Sequence, residues 1–279
     1  MNFLTNLRKE RGACDIIMNM IDLKKNQPII IGLAGKAGSG KTSVAENIVP
    51  KGSIESLRYE IKWDHIFYAL PLYEMASIKK NIQGFNQKRR RMYAIHEVLF
   101  DLYGGTSLGD IPEYEELTSM VESIYSMPIE PEGTKPRDFL QKAGDLCRSF
   151  SPDCFARWAI IKSSKIYRSY LSQLKEDEDS YPMIILVSDV RYPNEAQHIL
   201  KQPNGFVVCY DASVDTLNER LMKRDGKLMS PEHSSHASEN GIDEIKNMAT
   251  IVINTDNMSL DEQTEQTLEQ LKVKELANA

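Results

Sequence analysis

Between Pro28 and Ala45 the chain reads PIIIGLAGKAGSGKTSVA, and Gly35, Gly40, Lys41 and Thr42 fall at the spacing G-x-x-x-x-G-K-[ST]. These residue types point to one chemistry. Gly35, Gly38 and Gly40 let the main chain turn tightly enough to aim its N–H groups at a single point. Those donors, with the positive end of the helix that follows, form a cradle for phosphate oxygens. Lys41 is a point charge that reaches the outer phosphates, and Thr42 offers a hydroxyl to Mg²⁺. The expected phosphate loop comprises Gly35, Ala37, Gly38, Ser39, Gly40, Lys41, Thr42 and Ser43.

Further charged residues stand where such a loop could use them. Asp189 ends the apolar run Met183-Ile184-Ile185-Leu186-Val187-Ser188, the setting of a metal-side carboxylate in a phosphate-loop enzyme; the other reading is a cap on the next turn. Arg191 follows two residues on, where a guanidinium at the carboxyl end of a central strand faces the ligand crevice. It can hold a phosphate bidentately, or form a structural pair with Glu195. Arg220 and Arg224 are four apart on an amphipathic helix and share a face. On a lid over about 220–240 they would neutralise a transferring phosphoryl group; otherwise they form a solvated basic face. Lys41, Arg191, Arg220 and Arg224 are thus the candidate catalytic cations, and Thr42 and Asp189 the candidate metal-side oxygens. Arg137 and Arg148 are candidates for the acceptor's phosphate. Asp153 either orients the acceptor or caps a helix. The run Lys88-Arg89-Arg90-Arg91 reads as a solvated helix face. His233, His236 and Glu239 lack a third ligand at metal spacing and read as hydrogen-bonding loop residues.

These residues need elements to hold them. Ile29-Ile30-Ile31 predicts a strand before the loop, and residues 42–48 a helix after it. Residues 56–63 alternate as a strand, with Asp64 as the expected N-cap of a helix that Pro71 kinks or restarts. One helix is expected over 90–103 within a polar, irregular stretch, 80–135, taken as an inserted acceptor-binding region. Helices follow over 136–165. Buried strands are expected at 183–189, 205–210 and 249–253, with helices at 214–224 and 260–271. Strands alternating with helices imply an α/β fold: a central parallel sheet between two helical layers, plus a mostly helical insertion. Residues 1–27 read as an amino-terminal extension of a main domain spanning 28–279.

The 279 residues suffice for that plan, and 41% hydrophobic with 27% charged residues suits a packed water-facing domain. A net charge of −6 argues against a general nucleic-acid binder, which needs a basic footprint. The four cysteines, Cys14, Cys147, Cys154 and Cys209, form no C-x-x-C pair and are expected as reduced thiols in a cytoplasmic protein. The amino terminus lacks a signal-like apolar core, and no run is long enough to span a membrane.

Several segments in order, namely the loop segment, FYALPLYEMA (67–76), KPRDFLQKAGDLCR (135–148), ILVSDVRYPNEAQHI (185–199) and HASEN (236–240), resemble the phage-type deoxynucleoside monophosphate kinases. The piece SDVRYPNEA is the most specific. The resemblance covers about 28–271, except for 80–135. It implies a three-layer P-loop nucleoside-monophosphate-kinase fold, ATP with Mg²⁺ as donor and a deoxynucleoside 5′-monophosphate as small-molecule acceptor. The loop residues would bind ATP, Asp189 and Arg191 would serve metal and phosphates, Arg220 and Arg224 would come from the lid, and Arg137 and Arg148 would face the acceptor. Other readings are a dephospho-coenzyme A kinase-like enzyme on the same fold and a non-kinase ATP-dependent switch module. Assembly, including as a homodimer, is left open.

Overall fold

A computed structural model of the chain describes residues 27–49, 62–81, 87–104, 112–131, 135–174, 183–226, 228, 230 and 236–278. Residues 1–26 of the amino-terminal extension, residues 56–61 of the expected second strand, Cys14 and His233 lie outside them. Two compact units are distinguished: one takes the residues up to Ile66 and from Ser163 onward, the other Phe67–Lys162.

The first unit is built on a five-stranded sheet. Its strands are β1 (Ile29–Gly35), β2 (Lys62–Phe67), β3 (Met183–Val190), β4 (Gly205–Asp211) and β5 (Ile251–Asn254), in the spatial order β2-β3-β1-β4-β5. β1 pairs in parallel with β3 and β4, and β4 in parallel with β5. β1 is buried along its whole length and β3 almost so, which is why both read as continuous apolar runs. Alternation splits their side chains between two faces. Ile29, Ile31 and Leu33 join Ile184, Leu186, Val208 and Ile253 on one face. There they meet Val44 and Ile48 of α1 (41–49), with Leu268 of the closing helix packed alongside. On the other face the helix Pro193–Leu200 lies so close to β1 that a Cβ at Gly32 would sit 2.6 Å from Ile199 Cδ1. Helices thus cover both faces, the expected three layers, and β1, central and buried, carries the loop.

The second unit is helical. It contains α2 (Leu70–Asn81), α3 (Gln87–Tyr103), α4 (Tyr114–Ser126) and α5 (Arg137–Phe150), and α6 (Cys154–Gln173) begins within it. α3 packs on α2 and α4, and α5 packs on the same two. The buried residues follow helical spacing: Ile95, Leu99 and Leu102 on α3, Leu117, Met120, Val121 and Ile124 on α4, and Phe139, Ala143 and Cys147 on α5. Lys79 Nζ donates to the Ile124 and Met127 carbonyls at 3.0 and 2.6 Å, holding the end of α4. Of the basic run, Lys88, Arg89 and Arg90 are exposed at the start of α3, as the solvated-face reading expects, whereas Arg91 is half-buried.

One expectation is corrected: Asp64 does not cap a helix; it lies inside β2, where strand pairing overrides the local capping signal, and its carboxylate accepts from the His65 N–H at 2.7 Å. Of the two readings of Pro71 the restart holds: α2 starts at Leu70 and the ring occupies the first turn, where its missing N–H costs no hydrogen bond. A helix over 114–126 was not expected within the polar stretch. Cys147, Cys154 and Cys209 are free and buried, and burial pushes the Cys209 thiol up to about 11. Among the described residues no helix is long and apolar enough to cross a membrane.

β2 brings a titratable group beside the site. His65 Nε2 and Ser188 Oγ share a hydrogen bond of 2.8 Å, one residue before Asp189. Burial pushes the imidazole below its ordinary range. The folded state therefore binds this proton less readily than the unfolded chain. The stability from neutral His65 is complete above about pH 6.5 and is lost as pH falls through and below that value. Chemical denaturation at about pH 7.5 and about pH 5.5 checks this: the wild type loses more stability on acidification than His65→Asn, which cannot titrate.

Candidate functional site

The loop leaves β1 at Gly35 and enters α1 at Lys41. Gly35, Gly38 and Gly40 have φ of 146°, 86° and 94°, a region L side chains rarely adopt. The fit is tight as well as left-handed. A Cβ at Gly35 would lie 2.6 Å from the Tyr210 carbonyl oxygen, and one at Gly40 would lie 2.5 Å from Gln263 Oε1. The Ser39 N–H donates to Lys36 O at 3.1 Å and the Val44 N–H to Gly40 O at 2.9 Å, so the turn runs directly into the helix. Ser39 Oγ is buried and has no hydrogen-bond partner among the described residues, as expected of a hydroxyl lining a polar cradle. Thr42 and Ser43 are exposed at the first turn of α1.

Lys41 is only 4% exposed, and its ammonium group lies between the loop and β3: Lys36 O accepts from it at 3.4 Å and Asp189 Oδ1 lies 3.7 Å away. Asp189 reaches it through a β-bulge. Leu33 pairs with Ser188 but Ala34 pairs with Val190, so Asp189 is an extra residue between them, with φ of 66°. Asp tolerates that left-handed conformation better than most side chains. The bulge re-aims the carboxylate toward the loop.

Arg191 Nε donates to Asp189 Oδ1 at 2.8 Å, and its Nη1 pairs with Glu239 Oε1. Glu239 Oε2 in turn accepts from the Ala37 N–H at 3.0 Å. Glu195, the alternative partner for Arg191, is buried and accepts from the backbone N–H groups of Arg191 at 2.9 Å and Tyr192 at 3.1 Å, capping the helix that begins at Pro193. His236 shapes its loop as expected, with Nδ1 accepting from the Ser238 N–H at 3.2 Å. Glu239 was not foreseen as part of the site. The HASEN segment was the available signal, and nothing local tells where that carboxylate goes.

Arg220 and Arg224 do not act as a pair. Arg220 donates to the Thr255 carbonyl at 2.6 Å, to Thr255 Oγ1 at 3.0 Å and, at 3.5 Å, to the carbonyls of Gly38 and Met258. It is a strut between the loop and the turn after β5. Arg224, half exposed, forks onto Asp225 at 2.7 and 2.8 Å. Residues 227, 229 and 231–235 of the expected lid lie outside the described residues. Arg220→Ala should lower unfolding stability by about 2 kcal/mol, the scale for losing charge-assisted hydrogen bonds to part-buried carbonyls. Urea denaturation measures it, and Arg224→Ala should change little, because its pair is exposed.

Arg137, Arg148 and Asp153 belong to the second unit. Arg137 opens α5, Arg148 lies near its end with its guanidinium 4.5 Å from the centre of the Phe155 ring, and Asp153 immediately precedes α6. For Mg²⁺, the first unit offers hard oxygen donors in the Thr42 hydroxyl and the Asp189 carboxylate. This fits an ion that takes one or two protein ligands and completes its shell with phosphate and water.

No family model matches the chain. It is distantly homologous to the deoxynucleoside-5′-monophosphate kinase of Escherichia phage T5, with 26% identity over 247 residues, covering 77% of this chain and 85% of that protein. Among solved structures, TT1252 from Thermus thermophilus aligns over 88% of this chain and 98% of its own at 17% identity, a loose match with a TM-score of 0.39.

Proposed function

We propose that this distant homologue of a phage nucleotide kinase transfers the terminal phosphoryl group of ATP to a deoxynucleoside 5′-monophosphate, giving ADP and the diphosphate. The observation that carries the reading is the convergence, beside a glycine-shaped loop, of two cations on one carboxylate: Lys41 at 3.7 Å and Arg191 at 2.8 Å from Asp189 Oδ1. A structural ion pair needs neither three left-handed glycines nor a bulge; a polyphosphate site uses both.

In this reading an oxygen of the acceptor's phosphate attacks the γ-phosphorus in line, forming the new P–O bond as the bond to the β-phosphate oxygen breaks. The loop N–H groups and Lys41 hold the donor phosphates and stabilise the charge that spreads over the transferring group. Arg191 exchanges a carboxylate for a phosphate oxygen. Thr42 and Asp189 would hold Mg²⁺, which would supply positive charge to neutralise the donor phosphates. Arg220 keeps the loop's Gly38 carbonyl in place, and Arg224 is the cation left to a closing lid. Arg137, Arg148 and Asp153 are assigned to the acceptor side.

Coupled-assay turnover with Mg-ATP against the common deoxynucleoside and ribonucleoside monophosphates tests this. Turnover that requires a deoxynucleoside monophosphate supports it. Transfer to dephospho-coenzyme A alone, or ATP hydrolysis indifferent to any acceptor, overturns it.

A further inference from the structure

We propose that Glu239 is a positioning residue that ties the phosphate loop to Arg191. Glu239 is 7% exposed, and a carboxylate so buried must be paired. Its two oxygens serve different masters: Oε2 takes the Ala37 N–H of the loop at 3.0 Å, and Oε1 takes the Arg191 guanidinium. Arg191 then reaches Asp189, Asp189 faces Lys41, and Lys41 returns to the Lys36 carbonyl at 3.4 Å. The contacts form a closed ring that starts and ends in the loop. Glu239 is the one member of that ring that falls within the expected lid range, near its carboxyl end.

The backbone is built for this approach. Glu239 sits in the short helix Ala237–Asn240, which His236 caps. At Gly241, immediately beyond, a Cβ would lie 2.9 Å from the Arg191 carbonyl oxygen and 3.0 Å from Pro193 Cδ. Only a residue without a side chain lets the segment press this closely on the Arg191 turn. Without Glu239, Arg191 would keep its Asp189 contact but lose its anchor to the loop. Its guanidinium would then sweep a wider arc than phosphoryl transfer tolerates.

The kinetic half of this inference rests on the kinase reading; the structural half does not. Two variants separate them. Glu239→Gln keeps an acceptor for the Ala37 N–H but turns an uncharged group toward Arg191, whereas Glu239→Ala removes both contacts. In the ligand-free protein, hydrogen exchange of a peptide spanning residues 33–40 should stay within about twofold of wild type in Glu239→Gln. It should rise about tenfold in Glu239→Ala, the scale of one lost hydrogen bond. Turnover should fall about 10- to 100-fold in both variants, the scale for losing an orienting partner, with KM for ATP within about threefold. Adding Glu239→Gln to Arg191→Ala should cost no more than about threefold further, because Gln keeps the Ala37 contact and a residue acting through Arg191 has nothing left to position. Unchanged exchange in Glu239→Ala, or losses that multiply in the double variant, overturns the proposal. If no nucleoside monophosphate is phosphorylated by the wild type but the exchange pattern holds, the tie between loop and Arg191 stands and the kinase reading falls.

Discussion

Lys41→Ala is expected to lower phosphoryl transfer by about 10³-fold or more, the scale at which cations supplied to a transferring phosphoryl group act. The fold should survive. The stem of Lys41 is buried, but its ammonium donates to Lys36 O at a long 3.4 Å and lies 3.7 Å from Asp189 Oδ1, and Asp189 keeps Arg191 at 2.8 Å when Lys41 is gone. The hydrophobic contacts of α1 come from Val44, Ala45 and Ile48, on turns the substitution does not touch. Circular dichroism and urea denaturation of the variant should therefore resemble wild type while the coupled assay falls close to background. Turnover within about tenfold of wild type would remove Lys41 from the chemistry.

Asp189→Asn is the second large effect, expected at about 10²-fold in turnover, the scale for losing one preorganised charge-stabilising group. Asn adopts the left-handed conformation at 66° as readily as Asp, so the bulge is kept and only the charge is lost. That loss acts twice. It removes the carboxylate proposed for Mg²⁺, and it leaves Lys41 and Arg191 facing one another without the anion between them. Activity should consequently respond to raised Mg²⁺ concentration more steeply in the variant than in wild type, which a magnesium titration of initial rates measures. Asp189→Ala should add a stability loss, because a β-branch-free but Cβ-bearing residue without a local hydrogen bond is strained at that backbone angle.

What was legible in the sequence was whatever depends on neighbours along the chain. The loop needs closely spaced glycines and a lysine, and the strand before it announces itself by an unbroken apolar run because β1 is buried on both faces. Asp189 and Arg191 were legible as the end of such a strand. The bulge that aims Asp189 was not, since it exists only in the pairing of β3 against β1. Glu239 lies 202 residues from its partner Ala37, and no local pattern reports so distant a contact. Arg220 and Arg224 show the limit of helical spacing: they share a face by count, yet the first donates to the Thr255 carbonyl and the second forks onto Asp225. The helix Tyr114–Ser126 could have been read, because Leu117, Met120, Val121 and Ile124 carry the helical period; the surrounding Gly and Pro residues drew the eye away from it.

The central claim is that a loop from Gly35 to Thr42 holds ATP so that its terminal phosphoryl group passes to a nucleoside monophosphate. Incubating the full chain with γ-labelled Mg-ATP and each deoxynucleoside monophosphate, then separating the products, tests it most directly. The account predicts that the label appears in a deoxynucleoside diphosphate with wild type and not with Lys41→Ala. Label found only as inorganic phosphate, at a rate independent of every acceptor, would contradict it.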